Sequence, residues 1–378
     1  MEPSRRSQVE PFRVMDIVGR AEQRQRTHGD AILLCVGQPE ARLPEAVAAA
    51  AATAQHGYTP IAGLPALRER IARWHRETYS VATQASQVVV TTGSSGGLVA
   101  LFIALLDAGA HLAITDPGYP AYRNTARALN LEVDAVPVGP DTRFQPTPEL
   151  VEEYAPESQA LIVTSPANPT ATIISPEELG RLARWAEDSG RWLISDEIYH
   201  GMSFGRPLAT ARQFSQDAIV VGSMSKFFTM TGWRVGWLIL PEQLVTPVEN
   251  LLGNLALCPP AVSQYAALAA FDHAEEFAPL VARYERNCAL AIPRLEALGM
   301  ELAAPADGSF YLWLDASSLT DDAQRFCADL LDATGVALAP GADFGSTDSC
   351  RTALRMSVCG DTEELLAALE RMTDWISR

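Results

Sequence analysis

The chain of 378 residues contains 28 arginines but a single lysine, Lys226. Codon bias toward arginine explains the 28, and it leaves open whether one lysine survives by chance or for its chemistry. An arginine guanidinium stays protonated, whereas a lysine amine can lose its proton and attack a carbonyl group. Lys226 is therefore a candidate nucleophile, and its neighbours must decide whether it acts as one.

Polar residues cluster around this lysine. Ser223 and Ser225 precede it directly after a predicted strand at 218–222, and Arg234 follows within the same stretch. Two hydroxyl groups and a guanidinium suit an anion, because both donate hydrogen bonds to it. The cluster predicts an anion site beside a nucleophile.

A second candidate anion site is Gly93-Ser94-Ser95-Gly96, which ends the predicted strand at 88–91 and opens an apolar helix. Small residues, hydroxyl groups and the positive end of a helix suit a phosphate. A plain strand-to-helix turn has the same composition and remains an alternative. The Gly-Lys-Ser/Thr of a nucleotide P-loop does not follow.

Two further polar residues lie at predicted strand ends. Asp196 follows the apolar strand at 192–195, where a buried carboxylate needs a partner. Asn168 lies between Pro166 and Pro169, and the stiff loop presents its amide. Helix capping for Asp196 and a simple turn for Asn168 are the alternatives.

Strands and helices alternate as far as about residue 240, which predicts an α/β fold with a mostly parallel sheet flanked by helices. Ligands bind at the carboxyl ends of such strands, where the polar clusters fall. The pattern changes near residue 275 to a long helix and strand-like segments. We therefore predict a large domain at 44–275 and a smaller α+β domain formed by 1–43 and 276–378.

Composition excludes several kinds of partner. The formal net charge of −17 argues against nucleic acid and anionic membranes, which both need a basic face. The longest apolar run, 98–106, is far shorter than the roughly 20 residues of a membrane span. The six cysteines form no Cys-x-x-Cys pair, which predicts reduced thiols and no metal site. With no signal-peptide pattern at the N-terminus, a cytoplasmic location is expected.

Four ordered motifs resemble those of the fold-type-I pyridoxal-phosphate enzymes, the class I/II aminotransferases of the aspartate-aminotransferase superfamily. The motifs are the lysine segment 223–236, Ser195-Asp196-Glu197-Ile198-Tyr199, Ser165-Pro166-Ala167-Asn168-Pro169-Thr170 and Gly57-Tyr58-Thr59-Pro60-Ile61-Ala62-Gly63. The resemblance extends from about Gly37 to Arg355. It implies a fold-type-I transferase that binds pyridoxal 5'-phosphate and forms a homodimer with shared active sites.

The resemblance also implies roles for individual residues. Lys226 would form the Schiff base with the cofactor and transfer protons as general acid and base. Asp196 would pair with the pyridinium nitrogen, and Asn168 and Tyr199 would hydrogen-bond the phenolic oxygen of the ring. Further cofactor residues would be Tyr119 on the ring face, Ser94, Ser95, Ser223 and Arg234 at the phosphate, and Tyr58 at the phosphate of the neighbouring subunit. Arg355 would clamp the substrate α-carboxylate, with Gly37 and Asn168 beside the substrate.

One position departs from the family pattern. The family's Asn-Pro-Thr-Gly turn reads Asn168-Pro169-Thr170-Ala171 in this chain. Glycine adopts positive φ and permits close approach more readily than alanine. The substitution predicts a slightly altered loop at the substrate pocket and no effect on cofactor binding.

The predicted reaction moves an amino group between an L-amino acid and a 2-oxo acid, through the Lys226 Schiff base and pyridoxamine phosphate. A carbon–sulfur β-lyase of the same fold stays open, because the cofactor motifs are shared. A regulator of this fold would carry an additional N-terminal DNA-binding domain, but only about 30 residues precede the first predicted strand. No second arginine could be placed for a side-chain carboxylate, which disfavours strict aspartate or glutamate specificity.

Overall fold

The computed structural model describes residues 2–39 and 41–378. The α-helices are α1 (Arg13–His28), α2 (Glu45–Ala52), α3 (Pro65–Tyr79), α4 (Gly93–Leu105), α5 (Pro120–Ala128), α6 (Pro148–Tyr154), α7 (Pro176–Ser189), α8 (Glu242–Leu255), α9 (Ala261–Asp272), α10 (Ala278–Ala297), α11 (Ala323–Thr334) and α12 (Thr362–Ile376). The strands are β1 (Ile32–Leu33), β2 (Val88–Thr91), β3 (His111–Asp116), β4 (Glu132–Pro137), β5 (Ala160–Thr164), β6 (Trp192–Asp196), β7 (Ile219–Ser223), β8 (Gly236–Ile239), β9 (Glu301–Leu302), β10 (Tyr311–Asp315), β11 (Val336–Ala337), β12 (Ala339–Pro340) and β13 (Ala353–Ser357).

Within the described residues, the central sheet has seven strands in the order β2-β8-β7-β6-β5-β3-β4. Strand β8 runs antiparallel to both of its neighbours, and the pairs from β7 to β4 are all parallel. The predicted α/β class with a mostly parallel sheet is confirmed. The reversal of β8 is a feature that the sequence analysis did not predict.

Helices cover both faces of this sheet. Leu112 and Ile114 of β3 pack in a core with residues of α4, α5 and α8. Ala113, between them, packs on the other face with residues of α6 and α7. Side chains alternate across a strand, so apolar residues at every position of a strand require cover on both sides. Cover on both faces of the sheet therefore explains the continuous apolar runs in β2, β5 and β7.

The remaining strands form two smaller sheets. In the described part of the chain, β12, β13, β10 and β9 form an antiparallel sheet in that order, and β1 pairs in parallel with β11. Their core contains Ile17 of α1 as well as Leu369 of α12. The two ends of the chain thus share one core. The domain boundaries near residues 44 and 275 stay a prediction.

Several predicted elements match the structure. The sequence predicts a helix at 176–189 with Ser175 as its N-cap. Helix α7 spans these residues, and the Ser175 hydroxyl accepts a hydrogen bond from the Glu178 backbone N–H at 3.1 Å. The apolar run at 31–36 predicts the first strand of the chain, but the observed strand β1 is shorter and contains only Ile32 and Leu33. None of the described helices has the length and apolar character needed to cross a membrane.

Candidate active site

A cavity of about 310 Å³ lies at the carboxyl ends of β5, β6 and β7. This is the edge at which open α/β sheets bind ligands. Most of the predicted site residues line the cavity: Gly37, Ser94, Ser95, Tyr119, Asn168, Asp196, Tyr199, Lys226, Arg234 and Arg355. The structure therefore gathers residues from widely separated parts of the chain around the single lysine.

The Lys226 side chain crosses the cavity toward the N-terminal segment. Its Nζ donates a hydrogen bond to the Gly37 carbonyl oxygen at 2.7 Å. The rings of Tyr199 and Phe310 lie beneath the amine, with their centroids 5.7 and 5.9 Å from Nζ. Burial lowers the pKa of Lys226 to about 8, with the positive charges of Arg355 and Arg234 acting in the same direction. A substantial fraction of the amine is thus neutral and nucleophilic in mildly alkaline solution.

Asp196 is the last residue of β6 and only 1% exposed. Its Oδ2 accepts a hydrogen bond from the Tyr122 hydroxyl at 2.5 Å, and its Oδ1 accepts one from the Ile198 backbone N–H at 3.3 Å. Burial raises the pKa of Asp196 to about 6. Residues 198–201 form a turn, so helix capping does not explain this carboxylate. A buried acid beside a cavity is suited to pair with a cationic group of a ligand.

Arg355 extends from β13 into the cavity and is 5% exposed. Its terminal nitrogens donate to the Asn168 side-chain oxygen at 2.7 Å and to the Cys35 carbonyl oxygen at 2.6 Å. The guanidinium carbon lies 4.4 Å from the ring centroids of both Tyr311 and Phe344. Both hydrogen-bond partners are neutral, and the buried Nε has no partner. The charge and the free N–H groups of Arg355 are therefore available to an anion.

Two tyrosines lie between Arg355 and Lys226. The hydroxyl oxygens of Tyr199 and Tyr311 are 3.1 Å apart, and the Tyr311 ring packs against Arg355. A Cβ atom at position 37 would lie 1.7 Å from the Tyr311 hydroxyl oxygen. Gly37 is thus required by the packing of Tyr311, a reason that the sequence did not reveal.

The residues proposed for a phosphate surround the N-terminus of α4. Ser94 and Ser95 lie in its first turn, and the Ser223 hydroxyl donates to the Ser225 hydroxyl oxygen at 2.9 Å. Gly93 has a φ of +68°, and a Cβ atom there would lie 2.4 Å from Nη2 of Arg234. The glycine leaves room for this guanidinium beside the N-terminus of α4. The guanidinium and the positive end of the helix together favour an anion.

The predicted site residue Ser223 does not line the cavity but donates a hydrogen bond to Ser225, which does. Tyr58 stands apart from the other predicted site residues. Its side chain is 85% exposed and does not contribute to the cavity wall. The hydrophobic side chains of Leu255 and Leu257 are also exposed. The predicted contact of Tyr58 with the phosphate of a neighbouring subunit stays a prediction.

At the turn that departs from the family pattern, the alanine adopts a positive φ, a backbone conformation that is typical of glycine. Ala171 has a φ of +62° and is fully buried. Its backbone N–H donates to the Ala167 carbonyl oxygen at 2.9 Å, and Asn168 still lines the cavity. Alanine therefore adopts the left-handed conformation at the energetic cost expected for a residue with a Cβ atom.

The sequence analysis missed several residues at the mouth of the cavity. Phe12, Val14 and Met15, at the start of α1, line it together with Asp343. The Asp343 carboxylate accepts hydrogen bonds from the backbone N–H groups of Arg13 at 3.1 Å and Val14 at 3.3 Å. Asp343 thus caps α1 from a distant segment and fixes the apolar residues over the site.

The comparison with known protein families decides the identity of the chain. The model of the family Aminotransferase class I and II matches residues 29–372. The chain belongs to this family. The aminotransferase prediction is confirmed, and the lyase alternative has no support from the relatives that follow.

Individual relatives of this aminotransferase cover nearly its whole length. It is 45% identical to a valine–pyruvate aminotransferase of Mycobacterium tuberculosis over 98% of the chain and 97% of the relative. It is 32% identical to an aspartate/prephenate aminotransferase of Thermus thermophilus, with 99% of each covered. A crystal structure of an aminotransferase from Mycobacterium tuberculosis superposes with a TM-score of 0.97 at 44% identity, covering 100% of this chain and 99% of that one. The aspartate aminotransferase of Thermus thermophilus with maleate gives 0.93 at 31% identity, with 99% of each chain covered.

Proposed function

We propose that this aminotransferase binds pyridoxal phosphate on Lys226 and transfers the amino group of an amino acid with an apolar side chain to a small 2-oxo acid. The observation that carries the proposal is the position of Lys226. Its amine, with a pKa lowered to about 8, shares one cavity with the buried Asp196 carboxylate and the Arg355 guanidinium. A nucleophilic amine, an acid and an anion-binding group are the functions that this chemistry requires.

The residues present fit the cofactor. Ser94, Ser95, Ser225 and Arg234 would hold its phosphate at the start of α4, where Gly93 leaves the space for Arg234. Asp196 would pair with the ring nitrogen, supported by its hydrogen bond from Tyr122. When bound, pyridoxal phosphate supplies an aldehyde that condenses with amines and a ring that accepts the electron pair released at the substrate α-carbon.

The residues of the chain then handle binding and proton transfer. The Lys226 amine would take the proton from the substrate α-carbon and hold it at Nζ, because its lowered pKa lets it act as base and acid near neutral pH. Gly37 holds this amine through its carbonyl oxygen. Asn168 orients Arg355 by accepting its hydrogen bond, and Tyr199 is positioned by its contact with the Tyr311 hydroxyl. Arg355 would bind the substrate carboxylate through its free N–H groups.

The mouth of the cavity supports the substrate class. Phe12, Val14 and Met15 present apolar side chains there. Such a surface favours contact with an apolar side chain of the substrate, whereas a carboxylate placed against it would lose its hydration. The relative at 45% identity is named for valine and pyruvate. Valine and similar aliphatic amino acids are therefore the proposed donors, and pyruvate is the proposed acceptor.

A homodimer completes the proposed site. Tyr58, Leu255 and Leu257 expose hydrophobic surface, which is typical of regions that contact another protein. The family resemblance gives Tyr58 a place at the phosphate of the partner subunit. The proposal therefore includes two active sites, each completed by one tyrosine from the other chain.

The test of the cofactor attachment uses the single lysine. Borohydride reduction fixes pyridoxal phosphate covalently to the amine that carries it, and peptide mass spectrometry then locates the label at Lys226. The Lys226→Arg variant keeps the charge and is expected to fold normally by circular dichroism, but to lose the label and essentially all amino transfer. The Lys226→Arg/Arg184→Lys variant, with a lysine moved to the exposed surface of α7, is the matched control and should remain inactive. Full activity of Lys226→Arg contradicts the proposal.

The substrate class is tested separately on the parent protein. Valine, alanine, aspartate and glutamate are compared as donors, with pyruvate and 2-oxoglutarate as acceptors. The highest kcat/KM is expected with valine and pyruvate. A preference for aspartate or glutamate would contradict the substrate class and leave the role of Lys226 intact.

A further inference from the structure

A second cavity, which we call the arginine cavity, lies beside the active site. It has a volume of about 380 Å³ and is lined by Arg13, Arg123, Arg127 and Arg351. Its walls come from α5, the end of β3, the middle of β4, the N-terminal segment and the loop at 342–351. Volumes of this size are typical of small-molecule sites.

The charge of the arginine cavity is opposite to that of the protein. The chain as a whole carries a formal net charge of −17. The cavity lining contains four arginines but only two carboxylates, those of Glu10 and Asp116. The Asp116 carboxylate already accepts hydrogen bonds from the Ser346 backbone N–H at 3.0 Å and from its hydroxyl at 2.7 Å. With four arginines and two carboxylates, the lining carries a formal excess of two positive charges.

The individual arginines have weak partners. The Arg127 guanidinium lies 3.6 Å from the Glu10 carboxylate, and both side chains are largely exposed. Arg13 donates to the neutral Gln324 side chain at 3.3 Å. Arg351 is exposed at the rim and, among the described residues, forms no ion pair with a carboxylate. Exposed contacts of this kind hold a guanidinium weakly, so the groups can turn toward a ligand.

Arg123 gives the sharpest indication of a ligand. Its Nη2 donates to the Asp343 carbonyl oxygen at a long 3.4 Å, and its Nε is buried without a hydrogen-bond partner. An unpaired buried N–H of a charged group carries a desolvation cost that an acceptor removes. A ligand with anionic oxygens in the arginine cavity would supply that acceptor.

We propose that the arginine cavity binds a small polyanion that carries carboxylate or phosphate groups. Several guanidinium groups around one cavity suit more than one anionic group on the same molecule. The site is distinct from the position of the substrate carboxylate, which belongs to Arg355. Tyr119 and Phe344 line both cavities, so the polyanion contacts two residues that also border the active site.

The test is isothermal titration calorimetry on the cofactor-loaded protein, with citrate and inorganic pyrophosphate as probes. At least one probe is expected to bind, and binding should weaken when KCl is raised, because exposed charges are screened. The probe that binds more tightly distinguishes a carboxylate ligand from a phosphate ligand. Failure of both probes to bind at millimolar concentration overturns the proposal.

Substitutions then locate the binding. Arg351 is exposed, so the Arg351→Gln variant should fold normally. It is expected to lower the affinity for the tighter-binding probe about three- to tenfold. Arg123→Gln should weaken it at least as much, whereas Arg123→Lys should recover part of the loss. Arg184→Gln, an exposed arginine of α7 outside the cavity, is the matched control and should bind within about twofold of the parent. Equal binding by all variants shows an adventitious ion only and overturns the proposal.

Discussion

The contacts of Arg355 predict that its replacement by lysine impairs substrate binding although the charge is kept. The planar guanidinium is fixed by two hydrogen bonds, to Asn168 and to the Cys35 carbonyl oxygen, and by two aromatic rings. The remaining N–H groups, including the unpaired Nε, are the donors that we propose for the substrate carboxylate. A lysine ammonium is shorter and has fewer donors.

The magnitude follows from the number of hydrogen bonds lost. A lysine that satisfies Asn168 and Cys35 retains at most one donor for the substrate, so one or two charge-assisted hydrogen bonds disappear. Each such bond contributes about 1.5–3 kcal/mol, so the loss is about 1.5–3 kcal/mol for one bond and about 3–6 kcal/mol for two. The loss of one bond corresponds to a decrease of roughly 10- to 160-fold in kcat/KM, and the loss of both to a larger one. Because the carboxylate is bound before and during the reaction, most of the decrease should appear in KM.

The assay is steady-state amino transfer from valine to pyruvate, with the dissociation constant of pyridoxal phosphate measured in parallel. Arg355→Lys should leave cofactor affinity within about threefold of the parent, since the hydrogen bonds and ring contacts of Arg355 involve none of the residues proposed for the phosphate. The matched control is Arg184→Lys in α7, which makes the same substitution on the exposed surface and should behave as the parent. An Arg355→Lys protein with kcat/KM within threefold of the parent would refute the assignment of the substrate carboxylate to this residue.

Three further predictions concern the cofactor, the lysine and the cap of α1. Gly93→Ala introduces a Cβ atom 2.4 Å from Arg234, and should weaken pyridoxal phosphate binding at least tenfold. Gly109 also has a positive φ, but a Cβ atom added there would have no neighbour within 4 Å, so Gly109→Ala should lower stability without weakening cofactor binding. Equal cofactor affinities in the two variants would contradict the phosphate assignment. A lysine pKa near 8 means that the neutral amine rises with pH from about a tenth at pH 7 to about nine tenths at pH 9, so the rate of cofactor attachment to the apo protein should rise about tenfold and level off. A rate that keeps rising steeply above pH 9 would indicate an unperturbed lysine. Asp343→Ala removes the acceptor for two N–H groups of α1 and should lower the free energy of unfolding by about 1–2 kcal/mol in urea titrations, whereas the exposed Asp348→Ala should change it little. A stable Asp343→Ala protein with unchanged KM would show that the cap does not position the cavity mouth.

Much of the site was predictable because its chemistry lies in short segments. Lys226 with Ser223 and Arg234, and Ser94 with Ser95, each lie within a few residues of a predictable strand end. Strand ends on one edge of a parallel sheet converge, so the α/β pattern alone implied that these groups meet. The family motifs then supplied their roles.

Residues that act through distant partners were not predictable. Tyr122 donates to Asp196 across 74 residues, and Asp343 caps α1 across 329 to 330 residues. The need for glycine at position 37 arises from Tyr311, which belongs to another part of the chain. No local pattern in the sequence records such pairs, because each partner alone has an ordinary context.

The sequence by itself determined the candidate nucleophile, the fold class and the family, since a single lysine in a specific motif and a regular alternation of strands and helices are local properties. The tertiary structure alone decided the state of that lysine. Burial lowers the pKa of Lys226, and the Gly37 carbonyl oxygen, 189 residues away in sequence, holds its amine. Desolvation and long-range hydrogen bonds exist only once the chain has folded, so the reactivity of Lys226 is a property of the packed cavity.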